Sequence, residues 1–152
     1  MIKIAVIDGQ GGGIGRQIIE ALRRELHWNV EILALGTTSL ATAAMMKSGA
    51  KEGATGENAI VYSSQRVDYI LGSVGIITAN AMHGEVTPAM AKAISDSYAK
   101  KILIPLSSGN IEIVGVDKSI PLPKIIENAA RMISTLIYEE EGERRPERRH
   151  IV

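Results

Sequence analysis

Five of the seven positions from 9 to 15 are glycine, in the run Asp8-Gly9-Gln10-Gly11-Gly12-Gly13-Ile14-Gly15-Arg16. Glycine takes positive φ without steric cost, and its missing Cβ lets a ligand approach the backbone. At a strand-to-helix junction such a run directs free N–H groups and the partial positive charge of the helix N-terminus toward one point, which suits a phosphate. Arg16, in the first helical turn, adds a point charge. One or two glycines suffice for a tight turn. The run is therefore read as a nucleotide- or phosphate-binding loop contacting its ligand through Gly9, Gln10, Gly11, Gly12, Gly13, Ile14, Gly15 and Arg16, against the plainer reading of a bare turn.

The flanking residues supply the elements that such a loop needs. Residues 2–7, Ile-Lys-Ile-Ala-Val-Ile, are short, apolar and β-branched, as in a buried parallel strand. Ile14, Ile18, Ile19, Leu22 and Leu26 then recur at helical spacing, and His27-Trp28-Asn29 closes the helix. Residues 30–35 read as a second strand, and residues 40–48 as a small-residue helix stopped by Gly49. Strand, helix, strand, helix favours a parallel sheet. Beyond it, 51–58 reads as a loop, 59–62 as a short strand, 68–72 as a strand, and Thr87-Pro88 as the start of a helix reaching about residue 98. Residues 101–106 and 111–116 read as strands joined by the turn Ser107-Ser108-Gly109-Asn110, short enough for an antiparallel hairpin. A last helix follows Pro121-Leu122-Pro123. The expected fold is a three-layer, Rossmann-like α/β domain over 1–138 with a mostly parallel sheet and an antiparallel edge, followed by a charged tail over 139–152.

The loop resembles the short-chain dehydrogenase fingerprint Thr-Gly-x-x-x-Gly-x-Gly, with Gly9, Gly13, Ile14 and Gly15 in the matching places. That resemblance covers about the first quarter of the chain and implies an NAD(P)-like cofactor. Its catalytic Tyr-x-x-x-Lys is absent: Tyr62, Tyr69, Tyr98 and Tyr138 are followed four residues on by Arg66, Ser73, Ile102 and Gly142. The second strand runs into Gly36-Thr37-Thr38 rather than the acid that binds the ribose 2′-hydroxyl of NAD. Gly36, Thr37 and Thr38 are thus cofactor contacts able to accept a 2′-phosphate, so NADP or a mononucleotide is as well suited as NAD. Residues 11–17 also look like the phosphate loop of ParA-like ATPases, but lack its two lysines and its hydroxyl, which argues against ATP hydrolysis. Over its whole length the chain resembles a family of small bacterial proteins of unknown function that open with Ile-Ala-Val-Ile-Asp-Gly-Gln-Gly-Gly-Gly-Ile-Gly. That resemblance implies no activity.

Other polar residues offer weaker chemistry. Thr55, Glu57 and Asn58 lie in a glycine-rich stretch that reads as a surface turn, or as a loop closing over a ligand. His83, after the 68–72 strand, is placed to act as acid or base. Glu57 and His83 are the catalytic candidates of a small enzyme acting on a phosphorylated metabolite. Asn80, His83 and Glu85 otherwise read as a polar loop before a helix capped at Thr87, and the spacing of His83 and Glu85 supports no metal site. Cysteine is absent, which removes thiolate ligands, cysteine nucleophiles and disulfides.

The totals bound the remaining options. With 152 residues, 45% hydrophobic, the chain can bury one core, built from aliphatic residues because phenylalanine is absent. Acidic and basic residues balance at 17 each, which argues against a general nucleic-acid binder. No apolar run spans a membrane and the start lacks a signal-peptide pattern, so a cytoplasmic protein is expected. In the last helix Ile133, Ile137 and Tyr138 carry the apolar stripe around the surface, which predicts a homodimer. The expected function is nucleotide or dinucleotide binding at the glycine loop, as a sensor or accessory subunit. An interaction protein with an empty loop is the alternative outside small-molecule binding.

Overall fold

The computed structural model describes residues 1–27, 29–106 and 109–144. Five strands, β1 (Ile2–Asp8), β2 (Val30–Gly36), β3 (Glu52–Thr55), β4 (Tyr69–Ser73) and β5 (Lys100–Ile104), form one sheet in the order β3-β2-β1-β4-β5. Every pairing is parallel. The helices are α1 (Gly13–Glu25), α2 (Ser39–Lys47), α3 (Glu57–Ser63), α4 (Pro88–Asp96) and α5 (Leu122–Arg144).

Alternation along the strands builds two cores. Ile4 and Val6 of β1, Ile32 and Ala34 of β2, and Tyr69 and Leu71 of β4 face α1, α2 and α5. Ala5, Ile7, Leu35 and Ile70 face α3 and α4 instead. Being buried on both faces, β1 and β4 read as continuous apolar runs. The result is the expected three-layer Rossmann-like domain. Among the described residues, no helix is long and apolar enough to cross a membrane.

The structure corrects three expectations about the sheet and its connections. Among the described residues, the sheet has no antiparallel edge. Residues 111–116 do not form the hairpin strand, and Ser107 and Ser108 lie outside the described residues. Half-buried Ile113 and Val116 instead line a groove of about 300 Å³ with Ile120, Leu122 and Ile125, so partial cover beside the start of α5 replaces a place in the ladder. The 51–58 loop contains β3, a four-residue edge strand whose Glu-Gly-Ala-Thr sequence is too short and too exposed to show a buried pattern. The strand expected at 59–62 is part of α3, in which Ile60 is the one buried residue. Of the residues behind the dimer expectation, Ile133 and Ile137 are fully buried against the chain's own sheet, while Tyr138 stays exposed. Helix α5 itself runs on into the charged stretch as far as Arg144, and residues 145–152 lie outside the described region. Trp28, expected to close α1, is also outside it, and the helix ends at Glu25.

Candidate functional site

The strand order reverses between β1 and β4. The chain leaves β1 toward β2 and β3 on one side and returns to β4 and β5 on the other. Open α/β sheets bind ligands at the carboxyl ends of the strands beside such a reversal. The glycine loop stands there, directly after β1.

The loop is organised from beneath by a residue that sequence reasoning passed over. Asp8 ends β1 and is buried. Its Oδ1 accepts the Gly9 N–H at 2.8 Å, and its Oδ2 accepts the Gly15 N–H at 2.7 Å. Ile14 also donates its backbone N–H to this carboxylate. Burial pushes the Asp8 carboxyl above its ordinary value of 3.8, the three N–H groups oppose that rise, and the charge of Glu85 adds to it. An acid closing a buried strand just before a helix start was the available signal: it caps α1 from below, since the N-cap residue, Gly12, has no side chain to do so.

The glycines then divide into two groups. Gly12 has φ 74°, and a Cβ there would lie 2.8 Å from the Ala41 backbone. A Cβ on Gly9 would lie 2.6 Å from Thr37 Oγ1 and 2.8 Å from Glu85 Oε1. A Cβ on Gly15 would press on Met45 and Asp8. The fold itself therefore requires these three. Gly11 and Gly13 are exposed, have no positive φ, and a Cβ on either would meet nothing within 4 Å. Among the described residues, neither N–H has an acceptor.

Beside the loop lies an open cavity of about 520 Å³, lined by Gln10, Thr78, Asn80, Met82, His83 and Asn110 among others. The topology thus brings together three stretches far apart in sequence: the turn after β1, the segment after β4 and the segment after β5. Gln10, Asn80, Met82 and His83 have φ of 51°, 65°, 58° and 56°, and they are the non-glycine residues with positive φ among the described residues. All four line this cavity. Left-handed backbone in residues with a Cβ is sterically costly, and such positions gather at ligand sites.

The remaining expected contacts are placed differently. Arg16 turns along α1 to Glu20, at 3.2 Å, and does not reach over the loop. Thr38 Oγ1 accepts the Ala41 N–H at 3.1 Å, capping α2, and donates to the Gln10 carbonyl at 2.8 Å. Thr37 Oγ1 donates to Glu85 Oε1 at 2.7 Å, and the same oxygen accepts the Gln10 N–H at 2.7 Å. A Cβ on Gly36 would meet the Thr38 carbonyl at 2.6 Å, so packing explains that glycine. Glu57 is exposed in the first turn of α3, which follows the edge strand β3, and the cavity that His83 lines does not include it. The two catalytic candidates are not brought together. Among the described residues, no three His, Asp or Glu side chains gather as metal ligands would.

A second groove, of about 440 Å³, lies beneath α3 and is lined by Lys3, Glu31, Asn58, Tyr62 and Arg66 among others, with the Arg66 guanidinium stacked 3.7 Å over the Tyr62 ring. Lys3 and Glu31 stand near the starts of β1 and β2, so this groove reaches the amino ends of the strands, opposite the glycine loop.

No curated protein and no solved structure is significantly similar to the chain. A family model matches residues 3–138, nearly the whole described domain, and the chain belongs to that family, described as a domain of unknown function (DUF3842).

Proposed function

We propose that the chain binds a compact phosphorylated ligand of mononucleotide size, with the phosphate on the glycine loop and the remainder in the adjoining cavity. The observation that carries this reading is the division of the glycines. Gly11 and Gly13 are glycine where the fold has no need of it, and among the described residues their N–H groups have no acceptor. The partial positive charge at the start of α1 favours an anion at the same place. The cavity, about 520 Å³, falls in the size range of small-molecule sites.

The dinucleotide reading, NAD or NADP, is less well supported. Thr37 and Thr38 are engaged in bonds within the chain, so they do not stand free for a 2′-phosphate. Binding without chemistry, as in a sensor or accessory subunit, is favoured over catalysis because Glu57 and His83 serve different places. With Ile133 and Ile137 covered within the chain, the proposal does not require a dimer.

The test is thermal-shift and calorimetric titration with ribonucleoside 5′-monophosphates and inorganic phosphate at millimolar concentration. The parent protein should gain melting temperature with at least one of them. Gly13→Val fills the open space without straining the backbone, because Gly13 does not use positive φ. It should weaken binding more than tenfold while the unliganded melting temperature stays close to that of the parent. A parent protein indifferent to every probe would overturn the reading.

A further inference from the structure

We propose that Glu85 selects the sugar of the bound nucleotide, accepting the free hydroxyls of a ribose and excluding a 2′-phosphorylated one; this rests on the nucleotide reading above. In doubly wound sheets the ribose is recognised by a carboxylate at the end of the second strand. Here β2 runs into Gly36-Thr37-Thr38 and carries no acid at its carboxyl end. The fold supplies one from elsewhere. Glu85, in the segment after β4, lays its Oε1 2.7 Å from Thr37 Oγ1, immediately past the end of β2. The same oxygen lies 2.7 Å from the backbone N of Gln10, within the glycine loop.

Packing holds the carboxylate in that position. The chain turns back toward the loop through left-handed Asn80, Met82, His83 and Gly84. The loop closes so tightly on Glu85 that a Cβ on Gly9 would stand 2.8 Å from Oε1. Two donors hold Oε1 in place. Among the described residues, Oε2 accepts no bond and remains available. A carboxylate oxygen takes a hydroxyl proton in a charge-assisted bond, whereas a phosphate brought to the same place meets like charge.

The spacing fits one nucleotide. Glu85 is bonded at Gln10, and the free N–H groups belong to the next residue, Gly11, and to Gly13. Neighbouring Cα atoms are about 3.8 Å apart, so phosphate and sugar sites lie within the reach of a single nucleoside monophosphate. The base then points to the cavity, where the Asn80 and Asn110 side chains offer donors and acceptors for its edge.

Calorimetry decides the matter. The tightest-binding ribonucleoside 5′-monophosphate is compared with its 2′-deoxy and 2′-phospho counterparts, on the parent protein and on Glu85→Gln. The parent should prefer the ribonucleotide at least tenfold over each counterpart. Glu85→Gln should lose most of the discrimination against the 2′-phosphate. A parent that binds all three forms equally overturns the role of Glu85 and leaves the nucleotide reading standing, as does a folded Glu85→Gln protein with undiminished selectivity. A parent that binds no nucleotide overturns both. Should Glu85→Gln fail to fold, the preference of the parent among the three ligands still decides.

Discussion

Two turns in this molecule perform the same topological task. Each takes the chain from the carboxyl end of a parallel strand into a helix on the same face of the sheet: β1 into α1, and β2 into α2. The second turn is made economically. One glycine, Gly36, fits a crowded corner, and the Thr38 hydroxyl caps the helix. The first turn has five glycines, no side-chain cap from its own N-cap residue, and a buried carboxylate reaching up from the strand to take three N–H groups. The second shows how little such a turn requires. The excess in the first, Gly11 and Gly13, therefore points to something outside the fold.

The largest effect that would sharpen this comparison is expected at Gly12. Alanine there would have to adopt φ 74° with its Cβ 2.8 Å from the Ala41 backbone. Left-handed strain and overpacking together should lower stability by roughly 3 kcal/mol, read as a fall in the urea midpoint. A Gly12→Ala protein as stable as its parent would mean that the first turn is as permissive at Gly12 as at Gly11 and Gly13, and the division of the glycines would collapse.

Next comes Asp8→Asn. The amide retains one acceptor oxygen and turns a donor toward N–H groups that already need acceptors, so about 1–3 kcal/mol should be lost near neutral pH. The pH dependence has a definite sign. The folded-state value of Asp8 is raised above 3.8, so the folded protein holds this proton more tightly than the unfolded chain does. The stabilisation that this titration contributes is complete below the unfolded value and is lost as pH rises through the folded one. Asparagine does not titrate. The advantage of the parent over Asp8→Asn should therefore be greatest at acidic pH and shrink toward neutrality. Chemical denaturation at several pH values would check it, and an advantage that grows with pH would show that the N–H groups outweigh burial.

The smallest of the three is Thr38→Ala, which removes the hydroxyl cap of α2 and should cost about 1 kcal/mol. If this substitution proved as damaging as Asp8→Asn at every pH, the two turns would be capped with equal strength, and the buried carboxylate would lose its special standing.

The fold was legible where elements are long or buried on both sides. The run from 2 to 7 and the Ile14, Ile18, Ile19, Leu22 stripe of α1 repeat often enough to reveal their period, and β1 and α1 lie where that period puts them. Thr87 caps α4 as expected, accepting the Met90 N–H at 3.2 Å. Elements β3 and α3 were not legible, because four residues on an exposed edge and seven with one buried side chain offer no period to read. The Ile111-Glu112-Ile113 alternation suggested a strand, but Ile113, half-buried, lines a groove beside the start of α5, so an apolar residue can be partly covered by a neighbour outside any ladder. The same holds for Ile133 and Ile137. Their stripe was correctly seen as apolar, but whether the sheet or a second copy covered it depended on how α5 lies over the strands.

Sequence alone determined that this chain is an α/β domain with a mostly parallel sheet and an aliphatic core, without thiol chemistry, and with a glycine-rich junction after its first strand. These are properties of composition and of near neighbours, which follow from strand and helix geometry whatever the remaining chain does. Only the tertiary structure decided which glycines the fold requires, that Asp8 is buried beneath the loop, and that Glu85 brings a carboxylate to the end of a strand that lacks one. Gln10 and Glu85 are 75 positions apart. No local period encodes that contact, because it forms only when β4 takes its place beside β1 and the following segment folds back over the strand ends.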